Sequence, residues 1–372
     1  MQGRRSGWVR LGLQVGMALG LLVMFLWAGD VRADDVPWLS EVTRAPVAPV
    51  LEDAGRILPV LQTADGQQIN TREAWEPQRR VLEQQWRGFL GPMPEPGPLN
   101  LRILDSEQVG MVQRQLVEYD AEPGQRVQGY LLRPQGLAGR LPAIVGLHQT
   151  TDSSIDEIAG VSGPDAMQLG LKLAQRGFVV MCPRCFLWQD VTSLDAAVER
   201  HRERNPRATG MAKMLYDARR AVDVLESLDD VDRDRIGSIG HSLGAKEVLY
   251  LAAFDTRIKA AVSCEGGLGF RSTNWDAPWY LGPAIRDPEF PLNHHQLLAL
   301  IAPRPFLVIG GEAGPGAADG DRSWVLLQAA LPAWHLYGRP ARLGLWNHRQ
   351  GHAIPDDTFE KMSDWLRTYL GP

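Results

Sequence analysis

The stretch from Arg235 to Tyr250 constrains the fold of this chain more than any other. It reads RIGSIGHSLGAKEVLY, in which an apolar segment leads into Gly240, Ser242 and Gly244 and then into a helix-forming segment. This G-x-S-x-G pattern predicts a buried strand, a sharp turn and a helix, with the serine at the turn. Glycines on both sides of the serine allow neighbouring backbone to pass close by. Because such a turn presents the serine hydroxyl, Ser242 is the candidate nucleophile.

Apolar patterns alternate between strands and helices along the rest of the chain. Strands are predicted at residues 99–104, 111–119, 127–133, 141–147, 178–181, 236–239, 258–263, 305–309 and 342–346. Helices are predicted at residues 71–90, 166–175, 211–228, 245–253, 324–337 and 356–369. This alternation predicts an α/β protein with a mostly parallel central sheet flanked by helices on both faces. In such folds the ligand site lies beyond the carboxyl ends of the strands.

The first 33 residues have the pattern of a signal peptide. Arginines at positions 4, 5 and 10 precede an uncharged apolar run over residues 11–27, and Val31-Arg32-Ala33 offers a cleavage site before Asp34. We expect removal of this segment and a secreted or periplasmic protein. The alternative is a retained N-terminal membrane anchor, because 17 apolar residues are at the short limit for spanning a bilayer.

The length of 372 residues suits one large domain with an N-terminal extension. We expect the extension to cover residues 34–98, with a flexible entry at 34–59 and one helix packed on the core. Residues 99–372 are then the catalytic domain. The formal net charge of −5 gives no basic footprint for nucleic acid.

The three cysteines are Cys182, Cys185 and Cys264. Cys182 and Cys185 have the spacing of a redox pair or half a zinc site, but no second ligand pair accompanies them. We favour a local disulfide or buried free thiols, and we expect no metal and no cofactor.

A serine nucleophile requires a general base, which in this topology follows the last strand. The loop after residues 342–346 holds two candidates, His348 and His352. Gly351 permits a tight turn that aims His352 inward, so we predict His352 as the base. His348 is the alternative base, or else a surface histidine or one that only supports the catalytic residues.

The acid that orients the base has several candidates. Asp321, in the loop after strand 305–309, occupies the usual position and is the first choice, with Asp319 and Glu312 as local rivals. Glu265 follows strand 258–263, from which a carboxylate can also reach the histidine. The sequence leaves this choice open.

Two backbone amides are needed to bind the oxyanion that forms during ester cleavage. The amide of Leu243 directly follows the nucleophile. The second is predicted in the loop after residues 141–147, at Gln149. We expect the neighbouring His148 side chain to make a structural hydrogen bond.

These residues together resemble the serine esterases of the α/β-hydrolase superfamily from about Arg72 to the C-terminus. The segment DRIGSIGHSLGAK at residues 234–246 is similar to the nucleophile region of the acetylxylan esterase and dienelactone hydrolase-like families and of the glucuronoyl esterases. FDTRIKAA at 254–261, HQLLALIAPRP at 295–305 and the helix from Trp75 to Gly91 extend the resemblance. The resemblance implies an α/β-hydrolase fold.

The resemblance also bears on the substrate. Glucuronoyl esterases carry an arginine after the serine and a lysine four residues after it; here Lys246 matches but Leu243 replaces the arginine. Many of them place the catalytic glutamate where Glu265 lies. Lys246 is therefore a candidate for sugar binding, or else a surface lysine. Trp275, in an aromatic-rich excursion over residues 274–280, either stacks on a sugar or packs a lid onto the core.

The sequence thus predicts an exported serine carboxylesterase that hydrolyses acyl or uronoyl esters through an acyl-enzyme. Its partner is an ester substrate linked to carbohydrate, with no stable membrane partner unless the N-terminal segment is retained. The alternatives are a serine peptidase or thioesterase on the same fold, and a non-catalytic carbohydrate-binding homologue.

Overall fold

The computed structural model of the protein describes residues 35–47, 55–338 and 340–371. The predicted signal peptide, residues 1–33, lies outside these ranges. No helix within them is both long and apolar enough to span a bilayer.

The helices and strands follow one another in the predicted alternation. The strands are β1 (Arg102–Val109), β2 (Val112–Asp120), β3 (Arg126–Pro134), β4 (Leu141–Leu147), β5 (Val179–Pro183), β6 (Val231–His241), β7 (Ile258–Cys264), β8 (Phe306–Gly310) and β9 (Leu343–Asn347). The helices are α1 (Leu39–Val42), α2 (Arg72–Leu90), α3 (Ile155–Ile158), α4 (Leu169–Ala174), α5 (Leu194–Arg204), α6 (Gly210–Glu226), α7 (Leu243–Phe254), α8 (His294–Ile301), α9 (Trp324–His335) and α10 (Asp356–Leu370).

In the described residues the strands form one sheet in the order β1-β2-β3-β5-β4-β6-β7-β8-β9. The strands β1, β2 and β3 pair antiparallel, as do β3 and β5, whereas every pair from β5 to β9 is parallel. The predicted mostly parallel sheet is therefore confirmed. The carboxyl ends of β4, β6, β7, β8 and β9 meet at one edge, which brings their following loops together.

Two hydrophobic cores lie on opposite faces of the sheet. Ala143 and Val145 of β4 belong to one core and Ile144 to the other, as the period of two in a strand requires. The first core is covered by α2 and by α5 to α9, and the second by α1, α3, α4 and α10. Burial on both faces explains why the central strands read as continuous apolar runs.

Helix α2 begins where Thr71 accepts a hydrogen bond from the Ala74 amide, at 3.2 Å. Its buried face packs on the first core. The predicted flexible entry at 34–59 is wrong for residues 35–42. Val42 is 1% exposed, and the buried carboxylate of Asp35 accepts from Nε of Arg342 at 2.5 Å.

Other element predictions also need correction. The predicted strand at 99–104 begins at Arg102, because β1 is an exposed edge strand whose bounds are set by backbone pairing with β2 rather than by burial. The predicted helix at 166–175 is a short 3-10 turn, Asp165–Met167, followed by α4. Helices α1, α3, α5 and α8 were not predicted.

The cysteines are free thiols, and all three are buried. Cys182 packs in the second core and Cys185 in the first, so the sheet lies between their side chains. The predicted local disulfide is therefore wrong, and the alternative of buried free thiols is correct.

Candidate active site

Ser242 lies at the turn between β6 and α7 in a strained conformation, with φ of 56° and ψ of −114°. Its amide donates to the carbonyl of Cys264 at the end of β7, at 2.8 Å. A Cβ on Gly244 would lie 2.0 Å from the Leu147 carbonyl oxygen, and one on Gly240 would lie 2.4 Å from the Gly244 backbone. Both glycines are thus required sterically, and the turn has the geometry of a nucleophile elbow.

Glu265 directly follows β7 and is 1% exposed. Its Oε1 accepts from the Gly311 amide at 2.6 Å, and its Oε2 accepts from the Ala318 amide at 3.1 Å. Burial alone would raise its pKa, but the neighbouring His348 and His352 and the two amides outweigh burial and lower the pKa to about 2. Glu265 is therefore a buried anion at neutral pH.

Two histidines approach this carboxylate from the loop after β9. Nε2 of His348 lies 3.0 Å from Oε1 of Glu265, and Nδ1 of His352 lies 3.7 Å from Oε2. The second distance is longer than a hydrogen bond. The His241 ring packs 4.7 Å from the His352 ring. Burial first, and then the charge of His352, lowers the pKa of His241 to about 3, so this ring is neutral.

Asp321 and Glu312 lie in a different group of contacts. Both carboxylates accept from Nδ2 of Asn347, each at 2.9 Å, and both pair with Arg349. Asp319 is buried and accepts from the Gly267 and Leu268 amides at 2.7 and 2.9 Å. Of the four candidate acids, the structure brings Glu265 to His352 and places Asp321 against Arg349.

A cavity of about 410 Å³ opens over Ser242. Its wall is mostly polar and is formed by Thr150, Ser242, Lys246, Glu265, Ser272, Thr273, Asn274, Tyr280, Gly316, Ala317, Ala318 and His352. Ser242, His352 and Glu265 thus share one cavity. Its hydroxyl and amide groups suit a hydroxyl-rich ligand better than a long apolar chain.

Lys246 lines this cavity but is only 4% exposed, so the alternative of a surface lysine is wrong. Its Nζ donates to the Gly266 carbonyl and to Oγ1 of Thr273, and it lies 4.3 Å from the Trp275 ring centroid. Burial lowers the pKa of Lys246 to about 7, although the charge of Asp319 opposes the shift. Its charge is consequently sensitive to what fills the cavity.

Trp275 is 1% exposed, and its Nε1 donates to the Gly267 carbonyl at 2.6 Å. The prediction of an exposed aromatic that stacks on a sugar is therefore wrong for Trp275, since its ring is covered by its neighbours. It packs the 274–280 excursion onto the core, and its ring lies against Nζ of Lys246. Tyr280 is the aromatic residue of that excursion that lines the cavity.

The predicted oxyanion amides also lie at this edge. Leu243 is the first residue of α7, so its amide has no carbonyl within the helix to bond. Nδ1 of His148 donates to the Gln149 carbonyl at 2.8 Å, and its Nε2 accepts from the Cys185 amide at 3.1 Å. Burial lowers the pKa of His148 to about 4, so this neutral ring fixes the Gln149 loop.

Sequence reasoning missed the contact of His348 with Glu265 and the cavity positions of Tyr280 and Thr273. The close spacing of His348 and His352 in the sequence could have predicted this contact, because the two oxygens of one carboxylate can each accept from a different histidine. The side chains of the 272–280 excursion carry no such signal.

The chain is similar in sequence and fold to several known proteins. Residues 127–300 match the Dienelactone hydrolase family, a range that includes Ser242 and Glu265. A hydrolase of Bacillus subtilis (strain 168) named YtaP is 25% identical over 236 residues, covering 60% of this chain and 77% of that protein. The 4-O-methyl-glucuronoyl methylesterase of Hypocrea jecorina (strain QM6a) is 27% identical over 196 residues, covering 44% of this chain and 41% of that protein.

Among solved structures, the glucuronoyl esterase from Solibacter usitatus superposes with a TM-score of 0.70 at 20% identity. The match covers 88% of this chain and 100% of that one. At this identity the likeness shows the fold. The Dienelactone hydrolase match over residues 127–300 falls within this same fold, so the chain has the fold of the α/β-hydrolases and is similar in sequence to esterases.

Proposed function

We propose that this protein is an exported serine esterase that cleaves esters of carbohydrates through an acyl-enzyme. The observation that carries the proposal is the placement of Ser242, His352 and buried Glu265 in one polar cavity. The carbohydrate esterases among its relatives support the choice of substrate.

In the proposed first step Oγ of Ser242 attacks the ester carbonyl carbon, and His352 takes the hydroxyl proton. Because Nδ1 of His352 faces Glu265, Nε2 is the nitrogen left to accept this proton. The amides of Leu243 and Gln149 bind the oxyanion of the tetrahedral intermediate. The intermediate then collapses, the C–O bond to the alcohol breaks, and His352 returns the proton to the leaving oxygen.

In the second step water attacks the acyl-enzyme while His352 accepts its proton. The serine leaves with that proton, and the carboxylic acid is released. Glu265 stays ionised throughout, keeps His352 oriented and stabilises its imidazolium form. Lys246 supplies a donor to the bound sugar. The chain thus carries the groups for both steps among its own residues.

A fluorophosphonate probe tests the nucleophile. We expect the wild-type protein to label and Ser242→Ala to remain unlabelled, with the two proteins showing the same thermal unfolding. The proposal fails if the wild type does not react, or if Ser242→Ala labels equally well.

A substrate panel tests the ester class. Acetylated xylan, a methyl glucuronate ester, a peptide amide and an acyl thioester are assayed with the same enzyme preparation. We expect turnover of the sugar esters to exceed that of the other two. Faster cleavage of the peptide or thioester would favour the alternative hydrolases. If Ser242 is labelled but none of the four substrates is cleaved, the proposed substrate class is wrong although the proposed nucleophile is correct.

Export rests on the sequence pattern of residues 1–33. Mass spectrometry of the protein recovered from the periplasm or medium should give Asp34 as the first residue. An intact N-terminus in a membrane fraction would instead support the anchor.

A further inference from the structure

Glu265 is shared between two histidines, although a serine hydrolase requires only one. His348 approaches Oε1 and His352 approaches Oε2, and each oxygen also accepts from one backbone amide. His348 is the nearer of the two, at 3.0 Å against 3.7 Å.

The tautomer of His348 follows from its other nitrogen. The amide of Gln350 donates to Nδ1 of His348 at 3.1 Å, so Nδ1 is an acceptor. In the neutral ring Nε2 must then carry the hydrogen, and it faces the carboxylate. Nε2 of His348 lies 3.0 Å from Oε1, so it is placed to donate to Glu265.

The position of His348 separates it from the substrate. Its side chain is 1% exposed, against 29% for His352, and it does not line the cavity over Ser242. Its amide donates to the Gly310 carbonyl at 3.1 Å, and a Cβ on Gly311 would lie 2.7 Å from its Cε1. The ends of β8 and β9 therefore hold this ring against the carboxylate.

We propose that His348 is a positioning residue, which fixes Oε1 of Glu265 so that Oε2 remains directed at His352. The inference rests on the proposed function and acts through the same site. Without His348 the carboxylate loses one of its donors and is free to turn about its last side-chain bond. His352 is then held in the orientation for proton transfer for a smaller share of the time.

His348 also affects the charge interaction between Glu265 and His352. A hydrogen bond from His348 stabilises the anion of Glu265, which weakens its pull on the proton of His352. Removing the bond should strengthen the attraction of Glu265 for the proton on His352. Other ionisable groups face this site, namely His241, Lys246, Cys264 and Asp319. They are the same in every variant compared, so a difference between variants reports on position 348.

The test compares His348→Leu, His348→Asn and His348→Gln with the wild type. Glutamine can place an N–H near the position of Nε2, whereas asparagine is too short to do so. His335→Leu, on the exposed surface of α9, is the matched control. For each protein kcat and KM are measured from pH 5 to 9 on an aryl acetate, together with thermal unfolding.

We expect kcat to fall between about 10-fold and 100-fold in His348→Leu and His348→Asn with KM nearly unchanged. The acidic limb of kcat/KM should move to higher pH in both. His348→Gln should restore most of kcat and return the acidic limb of kcat/KM to nearly its wild-type pH. His335→Leu should match the wild type.

The inference is overturned if the Leu and Asn variants keep the wild-type kcat and limb, or if Gln is no better than Asn. Loss of the fold in all three would assign His348 a purely structural role, which also overturns it. If the wild type itself neither labels at Ser242 nor cleaves esters, the proposed function fails instead. The two failures are therefore distinguishable.

Discussion

At the scale of single residues, backbone strain marks the site. Ser242 and Glu265 both adopt positive φ, at 56° and 59°, at the ends of adjacent strands β6 and β7. Neither is glycine, so each conformation costs on the order of 1–3 kcal/mol. Arg349, at 62°, follows His348 in the loop that carries His352. This strain is consistent with selection for side-chain direction rather than for stability.

The choice of acid gives a direct prediction at this scale. Glu265→Gln should lower kcat by a factor on the order of 10³, because the amide cannot stabilise the imidazolium of His352. Asp321→Asn should retain activity within a few-fold, since its carboxylate contacts Asn347 and Arg349. Steady-state assays of both proteins decide between them. A larger loss in Asp321→Asn would restore Asp321 as the acid.

At the scale of elements, the strand, turn and helix around Ser242 depend on two glycines that serve as contact points. Gly244 lets α7 begin against the end of β4, and Gly240 lets the turn close on α7. The loop after β4 and Ser242 are thereby held in one fixed relation.

Gly244→Ala should unfold the protein at markedly lower urea and abolish probe labelling, because its Cβ would overlap the Leu147 carbonyl oxygen. Gly88→Ala is the matched control: it lies within α2, where a Cβ meets nothing within 4 Å. That control should be stabilised by roughly 0.5–1 kcal/mol, since alanine favours the helix. Equal unfolding midpoints for the two variants would contradict this account.

The sequence did not predict helices α5 and α8, and each omission has a physical reason. Every residue of α8 is buried, so it shows no amphipathic period. Helix α5 is mostly charged, with few apolar residues to mark a face. By contrast, β4 and β7 were recognised because buried parallel strands are continuous apolar runs.

The site was predictable to the same degree. Ser242 was proposed from its turn and His352 from its place after the last strand, and the structure brings both into one cavity. The acid was not decided, because Glu265 and Asp321 both follow strands that end at the same edge. The side-chain direction of each carboxylate separates them, and this depends on a loop rather than on spacing.

At the scale of the whole molecule, residues 35–42 belong to the fold. Asp35 pairs with Arg342 just before β9, its Oδ1 accepts from the hydroxyl of Tyr369 at 3.3 Å, and Trp38 packs on Trp365 of α10. These contacts join the start of the described chain to its last strand and last helix.

Asp35→Ala should therefore destabilise the protein by about 3 kcal/mol, because it removes a buried carboxylate from beside a guanidinium. Asp65→Ala, at an exposed turn, is the control and should shift the unfolding midpoint much less. Urea unfolding of both variants measures the difference. Similar small losses would show that the N-terminal contacts contribute little.

Acid unfolding reports on Glu265. Its folded pKa of about 2 lies below the ordinary 4.5, so its contribution to stability is present above pH 4.5 and is lost as the pH falls toward 2. The contribution is about 3 kcal/mol at most. The unfolding free energies of the wild type and Glu265→Gln should converge between these pH values. A constant gap between them would contradict the low pKa.

The separation of Cys182 from Cys185 by the sheet has a practical consequence. Since no disulfide bond has to form, folding does not require the oxidising enzymes that exported proteins meet. A version lacking residues 1–33 should fold equally well in a reducing cytoplasm, and its thiols should resist alkylation until it unfolds. The enzyme can therefore be produced without disulfide isomerases, and its storage does not depend on a thiol buffer.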